Sequence, residues 1–318
     1  MLNCLYFFKK NNKRCYNVVE KFVGSVRVVD ELIVYVNGKY VKKSDATISV
    51  FDRGLLYGDG FFEGIRIYNG KIFMGNEHID RFFDAAKYTM MILKHTKEEL
   101  IEIINELIKI NNIKDGYIRL IATRGSYNLG ITPPDDELIN PTLVCIASNI
   151  SMYKKEFYDL GINVIFSSFI RMSPSMLDPQ CKSINYLSNV LSKIEASKKN
   201  AQEAIFLNSV GIVTECTGDN IFIIKDNKVY TPPIYVGILN GITRILVIKL
   251  LRELGYEVYE QEFTRFNVYS ADECFLTGTA AEVVGVVSVD DRTIGDGKVG
   301  INTKRIMEEF KKYIDKVC

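Results

Sequence analysis

The chain has 318 residues, 47% of them hydrophobic and 25% charged, with a formal net charge of +1. That is the profile of a globular protein with room for roughly two domains. The near-zero net charge excludes a chain built to bind nucleic acid or an anionic membrane by bulk electrostatics. The presence of only 2 His excludes a His-rich metal centre, and no apolar run approaches the length of a membrane span. The 7 Cys, at positions 4, 15, 145, 181, 216, 274 and 318, form no C-x-x-C pair. They read as free thiols of a reducing compartment, which predicts a cytoplasmic protein.

Residues 1–30 stand apart. "MLNCLYFFKKNNKRCYNVVEKF" has no acid before Glu20, and its basic cluster follows its apolar stretch. A signal peptide has the opposite order, so an unstructured extension is expected, with organellar targeting left open. From 31 the sequence becomes that of a folded domain. "ELIVYVNGKYV" predicts a hairpin turning at Asn37-Gly38, and "FFEGIRIYNGKIFM" another at Asn69-Gly70. Helical periodicity follows over 76–92, with Ile79, Phe82, Phe83 and Ala86 on one side, and again over 97–111. "GYIRLIATRG" and "PTLVCIASNI" read as strands, and a small α/β domain, 31–150, is expected to end there.

A larger domain, 151–318, opens with the strand "INVIFSS". After the Asp178-Pro179 turn, Ile184, Leu187, Leu191 and Ile194 are spaced as one buried helical stripe with Lys182 at its head. Short strands then fill 203–233, with turns at 208–211 and 226–227. Residues 241–255 read as a helix stopped by Gly255. "ADECFLTGTAAEVVGVVSVDD" reads as strand, loop, strand, and "NTKRIMEEFKKYI" as a closing helix. Strands and hairpins dominate, which predicts an α+β fold. No G-x-G-x-x-G follows a strand and no P-loop occurs, so neither nucleotide motif has support.

Four stretches are poorly explained by packing. They are Lys182 with Tyr186 one turn on; Glu215 in the loop of "GIVTECTGDNIF"; the helix start of "GILNGITR"; and the small residues of "LTGTAAE". Taken singly, each has an ordinary reading: a solvated lysine, a loop carboxylate, a Thr243-capped helix, a turn. One chemistry joins them. A buried lysine can bind pyridoxal 5'-phosphate covalently. The pyridine nitrogen of that cofactor needs an anionic partner, and its phosphate needs helix-terminal amides, hydroxyls and an arginine.

These residues carry a family resemblance. "KSINYL", "GIVTECTGDNIF", "GITR" and "FLTGTAAE", in this order, together with "YGDGFFEGIR", "EHIDRF" and "YIRLIATRGSYNLGITPP", resemble the fold-type IV pyridoxal-phosphate enzymes, the class IV aminotransferases. The likeness runs from about 32 to 315 and is greatest to the branched-chain amino acid aminotransferases. It implies a two-domain fold, a small N-terminal α/β domain and a larger C-terminal domain whose strands and helices surround the cofactor. By resemblance, Lys182 is the Schiff-base lysine, Tyr186 lies beside the cofactor ring and Glu215 faces the pyridine nitrogen. Arg81 clamps the phosphate, with Ile242, Thr243 and Thr279 as further phosphate ligands. Phe62 and Tyr117 shape the substrate pocket, and Thr279-Ala280 hold the α-carboxylate. Arg119 meets the distal carboxylate of glutamate together with Tyr57. Tyr57 is donated to the pocket of a second copy, which implies a homodimer. Cys181 and Cys216 stand where the family has smaller residues and are expected to make the site sensitive to oxidants.

The resemblance further implies reversible transfer of the amino group of L-leucine, L-isoleucine or L-valine to 2-oxoglutarate, in two half-reactions. Neutral Lys182 is the base at the substrate Cα, and Glu215 stays ionised. A D-amino acid aminotransferase would share Lys182, Glu215 and the phosphate ligands. An aminodeoxychorismate lyase would need room for a bulky ring, which Phe62 and Tyr117 serve poorly. The intact "FEGIR", "NYL" and "GTAAE" favour the branched-chain reading.

Overall fold

The computed structural model describes residues 31–133, 140–149 and 154–318. The expected N-terminal extension lies outside them. Two turn dipeptides start the first sheet. Asn37 (φ 48°) and Gly38 (φ 85°) adopt the left-handed turn that joins β1 (Ile33–Val36) to β2 (Lys39–Lys42). A short helix, α1 (Arg53–Tyr57), was not expected from the sequence; Asp52 caps it by accepting from the Gly54 amide. Asn69-Gly70 repeats the hairpin device between β3 (Gly60–Tyr68) and β4 (Lys71–Ile72). Helices α2 (Gly75–Tyr88) and α3 (Lys97–Ile110) follow; α3 opens on a reciprocal capping box between Thr96 and Glu99. With β5 (Gly116–Thr123) and β6 (Thr142–Ser148) they complete a six-stranded antiparallel sheet of order β2-β1-β6-β5-β3-β4.

Ile79 and Phe82 of α2 and Leu100, Ile104 and Leu107 of α3 pack with Phe61, Ile65 and Leu120 in one core. Full burial of such a side chain is worth about 1.5–3 kcal/mol, so this apolar stripe pins both helices to the sheet. Register then places the pocket residues. Gly64 pairs with Arg119 across β3 and β5, and a Cβ at Gly64 would come within 1.7 Å of the Tyr117 hydroxyl. Only glycine at 64 lets Tyr117 lie across the strand.

The second sheet has nine strands. Short α4 (Glu156–Leu160) leads into β7 (Ile162–Ile170), then α5 (Leu187–Lys198), β8 (Glu203–Leu207), β9 (Val213–Cys216), β10 (Asn220–Lys225) and β11 (Lys228–Thr231). Helix α6 (Ile242–Glu253), β12 (Val258–Glu260), α7 (Arg265–Tyr269), β13 (Glu273–Gly278), β14 (Glu282–Val289), β15 (Arg292–Thr293) and α8 (Ile301–Val317) complete the chain. The strand order is β12-β11-β10-β13-β14-β7-β8-β9, with β15 on β14. Mixed parallel and antiparallel pairing fits the α+β expectation.

Two local expectations are corrected. Lys182 does not head the helix: Asp178 caps one 3-10 turn, Pro179–Cys181, after which Lys182 turns left-handed (φ 48°, ψ 46°), and α5 begins only at Leu187 with Tyr186 as its N-cap. Nor is the apolar stripe of α5 buried. Asn189, Ser192 and Ala196 face inward, whereas Leu187 (70%), Val190 (51%), Leu191 (36%) and Ile194 (45%) are exposed. The small residues are what allow the helix to lie close on β7 and β8.

Candidate active site

One cavity of ≈ 210 Å³ opens between β3 and β5 on one side and β9, α6 and the β13–β14 turn on the other. Lys182, Tyr186, Glu215, Arg81, Ile242, Thr243, Thr279, Phe62, Tyr117, Arg119 and Ala280 all line it. Of the expected site residues, only Tyr57 is not among the lining groups. Tyr57 ends α1, is 40% exposed, and its hydroxyl accepts from the Gly130 amide at 2.9 Å.

Backbone pairing fixes Lys182. Its carbonyl accepts from the Phe62 amide at 3.1 Å, and Ile184 donates to Gly60 at 3.0 Å, so the turn is stitched to β3. The ammonium lies 4.8 Å from the centroid of the Phe62 ring, against which Tyr186 packs edge-on at 4.9 Å. Burial lowers the Lys182 pKa; Glu63 opposes that, and Arg81 adds to it. A buried amine held toward its neutral form is suited to act as a base or nucleophile. Burial pushes the Tyr186 phenol up to about 12.

Glu215 lies on β9 rather than in a loop, and it is buried. Arg171 pairs with Oε1, while the Leu239 amide (2.9 Å) and Asn220 Nδ2 (3.1 Å) donate to Oε2. Burial raises its pKa, and Arg171 is the largest influence in the other direction. A carboxylate has about four acceptor positions, so these three donors leave one for a cationic group in the cavity.

Arg81 on α2 is aimed by Glu63. Its Nε and Nη2 donate to Glu63 at 2.7 and 3.0 Å, and Nη1 donates to the Asn240 carbonyl at 2.9 Å. His78 Nδ1 lies 2.7 Å from the same carboxylate. Burial alone would raise the Glu63 pKa, but Arg81 and His78 outweigh it and hold the carboxyl well below the usual range. Burial lowers the His78 pKa and Glu63 opposes that; facing a carboxylate, which only accepts, Nδ1 is the donor.

These residues fit pyridoxal 5'-phosphate. The first amides of α6 have no intrahelical acceptor, and its N-cap, Gly241, supplies no side-chain oxygen. A Cβ at Gly241 would come within 2.1 Å of Asn220 Oδ1. The Thr277 hydroxyl is buried beside the cavity and has no partner among the described residues. Arg81, these amides and this hydroxyl form a donor set for a phosphate. Opposite, Lys182 and Glu215 supply an amine and an anion.

The cysteines depart from expectation. Cys181 and Cys216 are both buried, and burial pushes the Cys181 thiol up to about 11 and Cys216 well above its ordinary value. The thiolate is the oxidisable form, so neither thiol is poised to react. Sequence reasoning missed Arg171, Glu63 and His78. A carboxylate inside the apolar run "GFFEGI" was a usable signal for Glu63.

Residues 60–289 match the family described as amino-transferase class IV. A protein of Methanocaldococcus jannaschii named putative branched-chain-amino-acid aminotransferase is 48% identical over 278 residues, 87% of this chain and 95% of that one. The D-alanine aminotransferase of Staphylococcus haemolyticus is 39% identical over 284 residues, 89% of this chain and 98% of its own. The T.th. branched-chain amino acid aminotransferase, solved with pyridoxamine 5'-phosphate, superposes with a TM-score of 0.84 at 35% identity, covering 89% of this chain and 93% of that one. The chain therefore belongs to the class IV aminotransferases, and it is a transaminase of fold type IV that uses pyridoxal 5'-phosphate.

Proposed function

We propose that the chain is a branched-chain amino acid aminotransferase, exchanging the amino group of L-leucine, L-isoleucine or L-valine with 2-oxoglutarate. One observation carries this reading. Arg119 lines an otherwise aromatic end of the cavity with its guanidinium 4.3 Å from the Phe62 centroid and 5.5 Å from that of Tyr117. Among the described residues, its guanidinium meets those rings and not a carboxylate. A cation on ring faces leaves apolar room for a branched side chain and stands ready for the distal carboxylate of glutamate.

When bound, pyridoxal 5'-phosphate supplies an electron-withdrawing ring that acidifies the substrate Cα–H. Lys182, held toward neutrality by burial, takes and carries the Cα proton. Glu215, oriented by Arg171, Asn220 and Leu239, holds a proton at the ring nitrogen. Arg81, the Ile242 and Thr243 amides and Thr279 bind the phosphate. The Thr279-Ala280 amides hold the α-carboxylate, with Phe62 and Tyr117 around the side chain.

We further propose a homodimer. Tyr57 is not among the residues lining its own cavity, and Leu187, Val190, Leu191 and Ile194 present an apolar helix face to the outside. A second copy is the occupant that would bury this face and receive Tyr57. The six-stranded sheet with α2 and α3 would be the small domain, 31–150, and the rest, 151–318, the large one. No described helix is long and apolar enough to cross a membrane, and buried free thiols suit the cytoplasm.

The 39% identity to a D-alanine aminotransferase keeps a D-amino acid reading as the alternative. The test is a coupled assay with 2-oxoglutarate and, separately, L-leucine, L-isoleucine, L-valine and D-alanine, reading the chirality of the glutamate formed. L-Glutamate from the branched substrates is expected. D-Glutamate from D-alanine would replace the substrate assignment. No glutamate from any donor would point to a lyase.

A further inference from the structure

Glu282 was quoted in the "GTAAE" motif but has no role in the chemistry above. It follows the Thr279–Ala281 turn and pairs with Gly278 across the β13–β14 hairpin. Its φ is +59°, in the left-handed region where a side chain other than glycine is strained. Its carboxylate reaches out of the large sheet to the small one. Tyr68 Oη donates to Oε1 at 2.7 Å and Arg66 Nη2 at 3.2 Å, and the Arg66 guanidinium lies 4.6 Å from the centroid of the Tyr68 ring. Arg66 and Tyr68 are on β3, the strand that carries Phe62 and Glu63. The turn has a second tether, the Tyr158 hydroxyl donating to the Ala281 carbonyl at 3.2 Å.

The strained backbone and its tether thus tie the turn lining one wall of the cavity to the strand forming the opposite wall. We propose that Glu282 is a positioning residue: anchored to Tyr68 and Arg66, it fixes the Thr279-Ala280 amides at the distance from β3 that a substrate α-carboxylate requires. This rests on the transaminase site described above and adds to it the device that sets the spacing of its two walls. Strain at 282 is tolerated because the hydrogen bonds over-determine the conformation. Glycine would remove the strain and the tether together, so relief of strain and loss of position predict opposite results.

The test compares Glu282→Gly, Glu282→Gln and Tyr68→Phe with the parent chain. In the cofactor-loaded protein, the dissociation constant of the unreactive carboxylate 4-methylvalerate is read from the cofactor absorbance, and kcat and KM are measured with L-leucine. In the cofactor-free chain, hydrogen exchange is followed over 278–282. Glu282→Gly and Tyr68→Phe should each weaken 4-methylvalerate and raise KM about tenfold, the scale of one lost hydrogen bond to a charged group. Cofactor affinity should fall by much less than carboxylate affinity, because Thr279 is only one of several phosphate contacts, and kcat should stay within about twofold. Exchange over 278–282 should quicken. Glu282→Gln keeps an acceptor for Tyr68 and should recover most of the affinity. Unchanged carboxylate binding in Glu282→Gly, or an equal fall in cofactor affinity, would overturn the proposal. If the parent chain itself bound no 4-methylvalerate, the substrate reading would fail instead, and the exchange rates would still decide the tether.

Discussion

The buried Glu63 carboxylate offers a prediction whose size follows from its contacts. One oxygen accepts from Arg81 Nε at 2.7 Å; the other accepts from Arg81 Nη2 at 3.0 Å and His78 Nδ1 at 2.7 Å. In Glu63→Gln, either orientation of the amide turns an NH₂ toward one of these donors. The variant therefore leaves a largely buried guanidinium only half paired. Breaking a buried pair from one side costs about 3–5 kcal/mol, which for a chain of this size lowers Tm by roughly 5–7 °C. The pH dependence has a definite sign. The folded pKa of Glu63 lies below its ordinary 4.5, so the contribution is fully present above that value and is lost as pH falls toward the folded pKa. Urea unfolding of the cofactor-free parent and Glu63→Gln chains, from pH 7 down to pH 3, measures the gap directly. The gap should be constant from neutrality to about pH 5 and shrink below. A difference under about 1 kcal/mol at pH 7, the size of an exposed pair, or one that does not change with acid, would refute the reasoning.

Two further substitutions test the site and its assembly. Arg119→Leu should raise KM for 2-oxoglutarate about tenfold or more, by loss of a charge-assisted contact, while the half-reaction with L-leucine changes little; steady-state kinetics with each substrate varied would show the split, and equal losses would tell against the assignment. Leu187→Glu, on the exposed face of α5, should convert the proposed dimer to monomer in sedimentation equilibrium, and a parent chain sedimenting as a monomer would end the dimer reading.

How much of this was legible in the sequence divides by the range of the interaction involved. The Asn37-Gly38 and Asn69-Gly70 hairpins are local devices, and their residues announced them. The helix start at Ile242 was readable for the same reason. Arg171 was not: it sits 44 residues from Glu215, in an irregular stretch without periodicity, and only the parallel pairing of β7 with β8 and the fold of β9 onto β8 bring the two together. Periodicity found the apolar stripe of α5 but not the side it faces. A spacing of 3 and 4 marks a surface to be buried; it does not say whether the same chain supplies the cover.

The pocket poses one physical problem that the geometry answers. A guanidinium among aromatic side chains would ordinarily demand a counter-ion, yet on the proposed function a pocket that also takes leucine cannot keep one. Stacking on Phe62 and Tyr117 supplies a cation–π attraction of about 0.5–2 kcal/mol, less than a charge-assisted bond to a carboxylate, which is about 1.5–3 kcal/mol. On the proposed function, Arg119 is therefore content on the rings when an aliphatic side chain occupies the pocket and gains by moving to the distal carboxylate when glutamate does. The same Phe62 ring also lies 4.8 Å from the Lys182 amine, so one side chain of β3 borders both the reacting centre and the group that distinguishes the two classes of substrate. On that function, the β3 register and the Glu282 tether proposed to space β3 from the opposite wall bear on specificity as well as on stability.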